Sequence, residues 1–448
     1  MLDINLIRNN PEEVKAKLAK KEFEVDFTEF LAQDKERRAL MHETEELKAE
    51  RNRVSAEIPK LKKAGEDTTA IFDRMREIGD KIKQNDAEIA KMQAEQDSFV
   101  ASLPNLPADD VVAGGKENNE ELYSFGQKPE FNFEPKDHVA LEEALDLVDY
   151  MRGVRLGGSG FWLYKGDGAR LEWALLNYFV DSHLADGYRM ILPPHLLNYE
   201  CGYTAGQFPK FENDVFTLQH RDGMGNPDQV AKEQQDEEAS FKAHGFKRFL
   251  APTSETALVN VHRGEILSEE ELPLKYFAYT PCYRSEAGSY RAEERGTLRG
   301  YQFNKVEMFQ YTKPEDSEAA LQELIKKAEK LMQGLGLHYR VSKLAAADCS
   351  ASMAKTYDIE VWLPSINDYK EVSSASNAMD YQARRGNIRY RKDGKKIAFV
   401  HTLNASGLAT SRLFPAILEQ FQQEDGSVII PEVLRKYMGG QEVIKPVK

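Results

Sequence analysis

Cysteine is scarce in this 448-residue sequence: Cys201, Cys282 and Cys349 are the only 3, far apart and without a Cys-x-x-Cys pair. That spacing excludes a disulfide framework and a zinc ribbon, and it suits the reduced cytosol. Long apolar runs are missing as well. No uncharged stretch approaches the roughly 20 residues of a bilayer span, and the opening Met1-Leu2-Asp3-Ile4-Asn5 lacks the basic flank and apolar run of a secretion signal. The expectation is a cytoplasmic protein that does not cross a membrane. A basic excess is also lacking. With 60 Lys+Arg against 74 Asp+Glu, the net charge of −14 argues against general coating of nucleic acid and leaves room only for a local basic patch. No Walker loop, dinucleotide fingerprint or zinc-protease helix occurs. What is present is ample apolar residue, 41% of the chain, and a length that fits two or three domains with cores of their own.

Residues 1–30 read as a helical lead-in, with Pro11 in the first turn after Asn10. Between Leu31 and Ser102 the pattern is more informative. Leu40, Leu47, Val54 and Leu61 recur every seven residues, Ala64-Gly65-Glu66-Asp67-Thr68 interrupts, and positions 71, 75, 78, 82, 85, 89, 92, 96 and 99 then step by alternating four and three. Of those nine, only Asn85 and Gln96 are polar. Two coiled-coil helices joined by so short a break must return antiparallel, giving a hairpin of about 45 Å that projects as an arm. From Lys48 to Lys63, near its tip, Lys48, Arg51, Arg53, Lys60, Lys62 and Lys63 outnumber Glu50 and Glu57, a place where a polyanion could dock or where lysines are merely solvated.

Leu103-Pro104-Asn105-Leu106-Pro107 ends the second helix, and a polar stretch to Pro135 reads as a linker. The domains expected are therefore 1–110, a linker at 111–135 and a body at 136–448. In the body, β-like runs such as Lys275–Tyr279 and Val306–Tyr311 mix with helical ones such as Ser317–Gln333, which makes it α+β. Residues 222–245 are polar and aperiodic and read as a surface insertion.

Three stretches of the body carry chemistry. Pro281-Cys282-Tyr283-Arg284-Ser285-Glu286, followed by Arg291, Arg295, Arg299, Phe303 and Glu307, combines arginines with an aromatic ring. Guanidinium groups clamp phosphate oxygens and a ring stacks on a base, so a nucleoside triphosphate suits this set, as does a solvated arginine-rich hairpin. Glu371-Val372-Ser373-Ser374 offers a carboxylate and hydroxyls that could hold Mg²⁺ beside phosphates, or a serine-rich turn. Asn404 to Arg412 is a small-residue stretch ending in an arginine, suited to close backbone approach or tight helix packing.

In this order the three stretches resemble the signature motifs of the class II aminoacyl-tRNA synthetases, and the arm narrows the resemblance to the bacterial-type seryl-tRNA synthetases. It runs over essentially the whole chain, through Phe133-Glu134-Pro135-Lys136-Asp137-His138, Lys165-Gly166-Asp167-Gly168-Ala169 and Gly206-Gln207-Phe208-Pro209-Lys210-Phe211. Motif 1 falls at about 186–194, motif 2 at 281–307 and motif 3 at 404–419. The resemblance implies an N-terminal antiparallel coiled-coil arm and a catalytic domain built on an antiparallel sheet flanked by helices. It implies a homodimer shaped by motif 1, with ATP, Mg²⁺, L-serine, tRNA(Ser) and tRNA(Sec) as the molecules handled.

Its implications for residues are specific. Arg284 and Arg412 would be catalytic. Arg284, Ser285, Glu286, Phe303, Glu371, Val372, Ser373, Ser374 and Arg412 would bind ATP, with Glu371 and Ser374 on Mg²⁺. Thr253, Ser254, Glu255, Arg284, Glu307 and Ser406 would bind serine, Thr253 and Glu255 near its α-amino group and Glu307 with Ser406 at its hydroxyl. Lys48, Arg51, Arg53, Lys60, Lys62 and Lys63 would meet tRNA. The sequence departs from the family pattern at Ala375, Ala378, Ala405 and Ser411, and at Arg291, which sits one place early.

Overall fold

A computed structural model describes residues 1–65, 67–218, 248–285 and 295–447. Internal contacts divide the chain into two compact units, residues 1–19 with 23–104, and residues 20–22 with 105 onward. No helix among the described residues is long and apolar enough to cross a membrane.

The first unit is helical: α1 (Ile4–Asn9), α2 (Pro11–Ala19), α3 (Thr28–Ala64) and α4 (Thr69–Ser102). Asp3 caps α1 by accepting from the Asn5 amide, and Pro11 opens α2 where its missing N–H costs nothing. Helix α3 stops at Gly65, whose φ of 76° is the left-handed conformation that glycine adopts without a Cβ penalty. All nine seam positions read for α4 are buried or half-buried, including Asn85 and Gln96. The seam of α3 has a second row, three residues before each of Leu40 and Leu47, formed by the buried Arg37 and Thr44.

Those polar residues are explained by their partners. Arg37 Nε donates to Gln96 Oε1 across the hairpin at 2.8 Å. One turn earlier, the buried Asp34 accepts from Arg8 Nε at 2.7 Å and from Arg38 Nε at 3.0 Å. Phe27, Phe30 and Phe99 pack together beside them, with the Phe30 and Phe99 rings stacked at 5.0 Å. Hydrogen bonding from Arg8, aided by the charges of Arg8 and Arg38, outweighs burial and holds the Asp34 carboxyl down at about 2. An unfolded aspartate titrates near 3.9, so this depressed group adds roughly 2 kcal/mol of stability above that pH, which disappears as pH falls from about 4 to about 2. Asp34→Asn is therefore expected to lower the unfolding midpoint of the helical unit at pH 7. In circular dichroism melts of the full chain, its difference from wild type should close toward pH 2.

The second unit is built on an eight-stranded sheet. Its strands are β1 (Glu120–Phe125), β2 (Arg189–Met190), β3 (Leu274–Tyr283), β4 (Gln302–Thr312), β5 (Tyr339–Lys343), β6 (Lys355–Leu363), β7 (Asp368–Met379) and β8 (His401–Ala409), in the spatial order β1-β5-β6-β7-β8-β4-β3-β2. Every neighbouring pair is antiparallel except β2 with β3. The helices that matter for the site are α5 (Gly166–Ala185), α6 (Ser254–Leu258), α7 (Ser317–Leu335), α8 (Tyr381–Gly386) and α9 (Thr410–Gln420).

The main core lies between one face of this sheet and helices α5, α7 and α9. Val306 and Met308 of β4, Ala375 of β7, and Leu403 and Ala405 of β8 pack there against Leu175, Leu324 and Phe414. Because side chains alternate along a strand, the residues between them point the other way. Strand β1 lies within 111–135, the stretch expected to be a linker. It is the edge of the sheet and all six of its residues are exposed, so it lacks the apolar alternation by which a strand is recognised in sequence.

Candidate functional site

On the face of the sheet away from the three helices is a cavity of about 330 Å³. Strand β4 supplies Phe303, Lys305 and Glu307 to its wall, every second residue of one run. Thr253 and Glu255 come from the start of α6, Asn404 and Ser406 from β8, Ser411 and Arg412 from the start of α9, and Arg284 from the end of β3.

Glu371 and Ser374 of β7 also line it, although three residues apart, a spacing that simple alternation would send to opposite faces. The register explains this. Ile359 pairs with Ser373 and Glu360 with Glu371, leaving Val372 as an extra residue in a bulge. Val372 turns into the core and Glu371 and Ser374 share the cavity face.

Ten residues read from the sequence thus meet around one cavity: Thr253, Glu255, Arg284, Arg299, Phe303, Glu307, Glu371, Ser374, Ser406 and Arg412. Four others do not line it. Val372 is core, Ser373 is buried and donates its hydroxyl to the Ser406 carbonyl at 2.6 Å, and Ser254 is buried with its Oγ 2.6 Å from Thr280 Oγ1. Ser285 Oγ donates to the Asn213 carbonyl at 2.8 Å. Glu286, Arg291 and the insertion at 222–245 lie outside the described residues. Of the basic residues near the hairpin tip, Arg53, Lys60, Lys62 and Lys63 are exposed, Arg51 is half-buried, and Lys48 pairs with Asp86 at 3.1 Å.

Within the cavity one end is acidic and tightly bonded. Glu307 is 1% exposed; its Oε2 lies 2.6 Å from Lys305 Nζ and its Oε1 accepts from Asn404 Nδ2 at 3.0 Å. Ser406 Oγ donates to Glu307 Oε2 at 3.3 Å, and Lys305 Nζ also donates to Thr253 Oγ1 at 2.7 Å. Glu255 accepts from Gln382 Nε2 at 2.7 Å, and Gln382 is oriented in turn by Thr402. Burial first, then the charge of Glu307, pushes the Glu255 carboxyl up to about 7. Sequence reasoning misses Lys305 and Gln382, and it places Asn404 in the third stretch without a role. The available signal for Lys305 was its place between Phe303 and Glu307 on an alternating run.

At the other end the groups suit an anion and a base. The Arg284 guanidinium stands 5.3 Å from the centre of the Phe303 ring. Arg412 Nη1 donates to the Glu371 carbonyl at 2.7 Å and stands 3.4 Å from its carboxylate. A second basin of about 520 Å³ adjoins and shares Arg299, Glu371, Ser374 and Arg412. Burial, then the charge of Glu371, raises the Asp358 carboxyl in this basin well above its usual range. The departures at Ala375 and Ala405 face each other in the core and touch no part of the cavity. Ala378 is buried too, its carbonyl accepting from Asn105, and Ser411 alone of the four lines the wall.

Comparison with known proteins decides what this cavity belongs to. Residues 1–107 match the family model described as seryl-tRNA synthetase N-terminal domain, and residues 242–421 match that of the tRNA synthetase class II core domain (G, H, P, S and T). A serine–tRNA ligase of Clostridium acetobutylicum is 60% identical over 98% of this chain and 99% of its own. The chain belongs to the seryl-tRNA synthetases. Two solved structures have the same architecture as this synthetase. The seryl-tRNA synthetase of Pyrococcus horikoshii, complexed with ATP, superposes with a TM-score of 0.89 at 33% identity over all of both chains. The cytoplasmic enzyme of Naegleria fowleri, in complex with AMP, gives 0.83 at 28% identity, covering all of this synthetase and 99% of that chain.

Proposed function

We propose that this synthetase activates L-serine with ATP to seryl-adenylate and pyrophosphate, and then transfers serine to the 3′-terminal adenosine of tRNA(Ser) and of tRNA(Sec). The observation that carries the reading is the single strand β4, which presents Phe303 for a base and Glu307 for a hydroxyl to one cavity.

No general base is needed for the first step, because the serine carboxylate is ionised at pH 7 and attacks the α-phosphorus itself. The chain has to hold two anions together in line and neutralise charge developing on the phosphate. Arg284, beside Phe303, and Arg412, beside Glu371, serve that purpose. Glu371 and Ser374 offer hard oxygen donors that fit Mg²⁺, an ion that keeps most of its shell as water and phosphate oxygens. Mg²⁺ bound there would neutralise phosphate charge.

Thr253 and Glu255 hold the α-amino group, and Glu307 with Ser406 receives the hydroxyl. An acceptor set built for a hydroxyl disfavours alanine by about 10⁴-fold, because the buried groups would be left unpaired. The exposed cations of the hairpin tip support tRNA binding there. Two copies of the chain joined through the motif 1 region, working in the cytoplasm, complete the reading; Leu192, an apolar residue of that region more than 70% exposed, supports such an interface.

The test is charging of labelled serine, with ATP and Mg²⁺, onto an intact serine tRNA transcript and one lacking its long variable arm. Charging of the intact transcript alone is expected. Serine-dependent pyrophosphate exchange without charging of either would move the reading to a ligase that loads another carrier.

A further inference from the structure

We propose that Lys305 determines specificity in the amino-acid pocket: by neutralising Glu307 it makes the site accept a neutral hydroxyl and reject an ammonium group in the same place. The proposal rests on the serine reading above. Its basis is a count of charges in a buried space. Two carboxylates, Glu255 and Glu307, face the acidic end of the cavity, both under 10% exposed, and Asn404 Nδ2 reaches both, at 3.4 and 3.0 Å. Lys305, 6% exposed, places its ammonium 2.6 Å from Glu307 Oε2 and 2.7 Å from Thr253 Oγ1. It is thereby committed to Glu307.

Serine brings one cation, its α-ammonium, and on the reading above that group goes to Glu255, whose carboxyl, otherwise pushed up to about 7, is drawn into its ionised form by that charge. Arg284, whose charge also acts on Glu255, answers the serine carboxylate; the remaining carboxylates and ammonium groups then match two against two, and what is left beside Glu307 is a place for a group without charge. The closest competitor that tests this is 2,3-diaminopropionate, which is serine with an ammonium in place of the hydroxyl. It would bring a third ammonium to two carboxylates, beside a lysine that cannot move away without leaving Glu307. Like charges forced together among buried side chains reject a ligand more strongly than a missing attraction does. Without Lys305 the same count favours the diamino acid, whose two ammonium groups would answer Glu255 and Glu307. The lysine acts here as a fixed part of the pocket that occupies the position of a competing substrate's charge.

The experiment compares wild type, Lys305→Met and Lys305→Arg as full-length proteins, using pyrophosphate exchange driven by L-serine or by L-2,3-diaminopropionate. The preference for serine, as a ratio of kcat/KM values, is expected to fall by about 10²-fold or more in Lys305→Met. Lys305→Arg, which keeps the charge, is expected to stay within about tenfold of wild type. A purely structural role would lower both activities together and leave the ratio unmoved. An unchanged ratio in Lys305→Met that still binds ATP by titration would overturn the proposal. If that variant does not fold, Lys305→Gln keeps a donor toward Thr253 while removing the charge, and an unchanged ratio there overturns it equally. Wild type without any serine-dependent exchange would refute the serine reading itself, a result distinct from either.

Discussion

Serine activation by a Glu307→Ala variant is expected to fall by about 10²- to 10³-fold, while the affinity for ATP stays within about threefold. The loss has two sources that act together. On the proposed reading the substrate hydroxyl loses its acceptor, and the buried Lys305 ammonium loses the carboxylate 2.6 Å away. Leaving one partner of a buried ion pair uncompensated costs roughly 3–5 kcal/mol. Phe303, Arg284 and Arg412, the groups proposed to hold the nucleotide, are untouched, which is why the effect should separate by substrate. Serine-dependent pyrophosphate exchange, set beside ATP titration of the same preparation, measures both. Exchange within tenfold of wild type would remove Glu307 from the amino-acid site.

Excising residues 37–97 and joining the cut ends with a short Gly/Ser linker is expected to leave pyrophosphate exchange within about twofold and to abolish tRNA charging. The cut is placed by the structure. Arg37 and Gln96 face each other across the hairpin, so both leave together, while Asp34 keeps its bond to Arg8. Adenylate chemistry depends on none of the removed residues, since every side chain lining the cavity belongs to the second unit. Charging has no such independence if Arg53, Lys60, Lys62 and Lys63 hold the RNA. Their phosphate contacts would show as a salt dependence of wild-type charging that the shortened protein lacks. Normal charging by the shortened protein at ordinary tRNA concentration would refute the role of the arm.

Particular residues show where the sequence was readable and where it was not. The seam of α4 was legible because it is mostly apolar and its two polar members still occupy heptad positions. Half of the α3 seam was not, since Arg37 and Thr44 are buried only by virtue of partners such as Gln96, far away in sequence. Strand β1 was hidden for the opposite reason: an exposed edge needs no apolar face. In the site, Phe303 and Glu307 could be placed together from alternation alone. Glu371 and Ser374 could not, because only the bulge at Val372 brings them to one face. Lys305 was passed over because an isolated lysine in a strand carries no sign of its ion pair. Those pairings live in the fold, and local pattern does not encode them.

Strand β4 has a metrical property that follows from its regular pairing with β3 from Gln302 to Tyr311. Phe303 and Glu307 are four residues apart on one face, about 13 Å along an extended chain. On the proposed reading the strand is in effect a ruler, graduated in pairs of residues, with the nucleotide base read at one mark and the amino-acid side chain at another. Neither mark can slide, because both belong to one unbroken ladder with β3, Phe303 opposite Cys282 and Glu307 opposite Ala278. A protein built this way can have its amino acid re-addressed by exchanging side chains at the far mark while the near one goes on handling the same nucleotide.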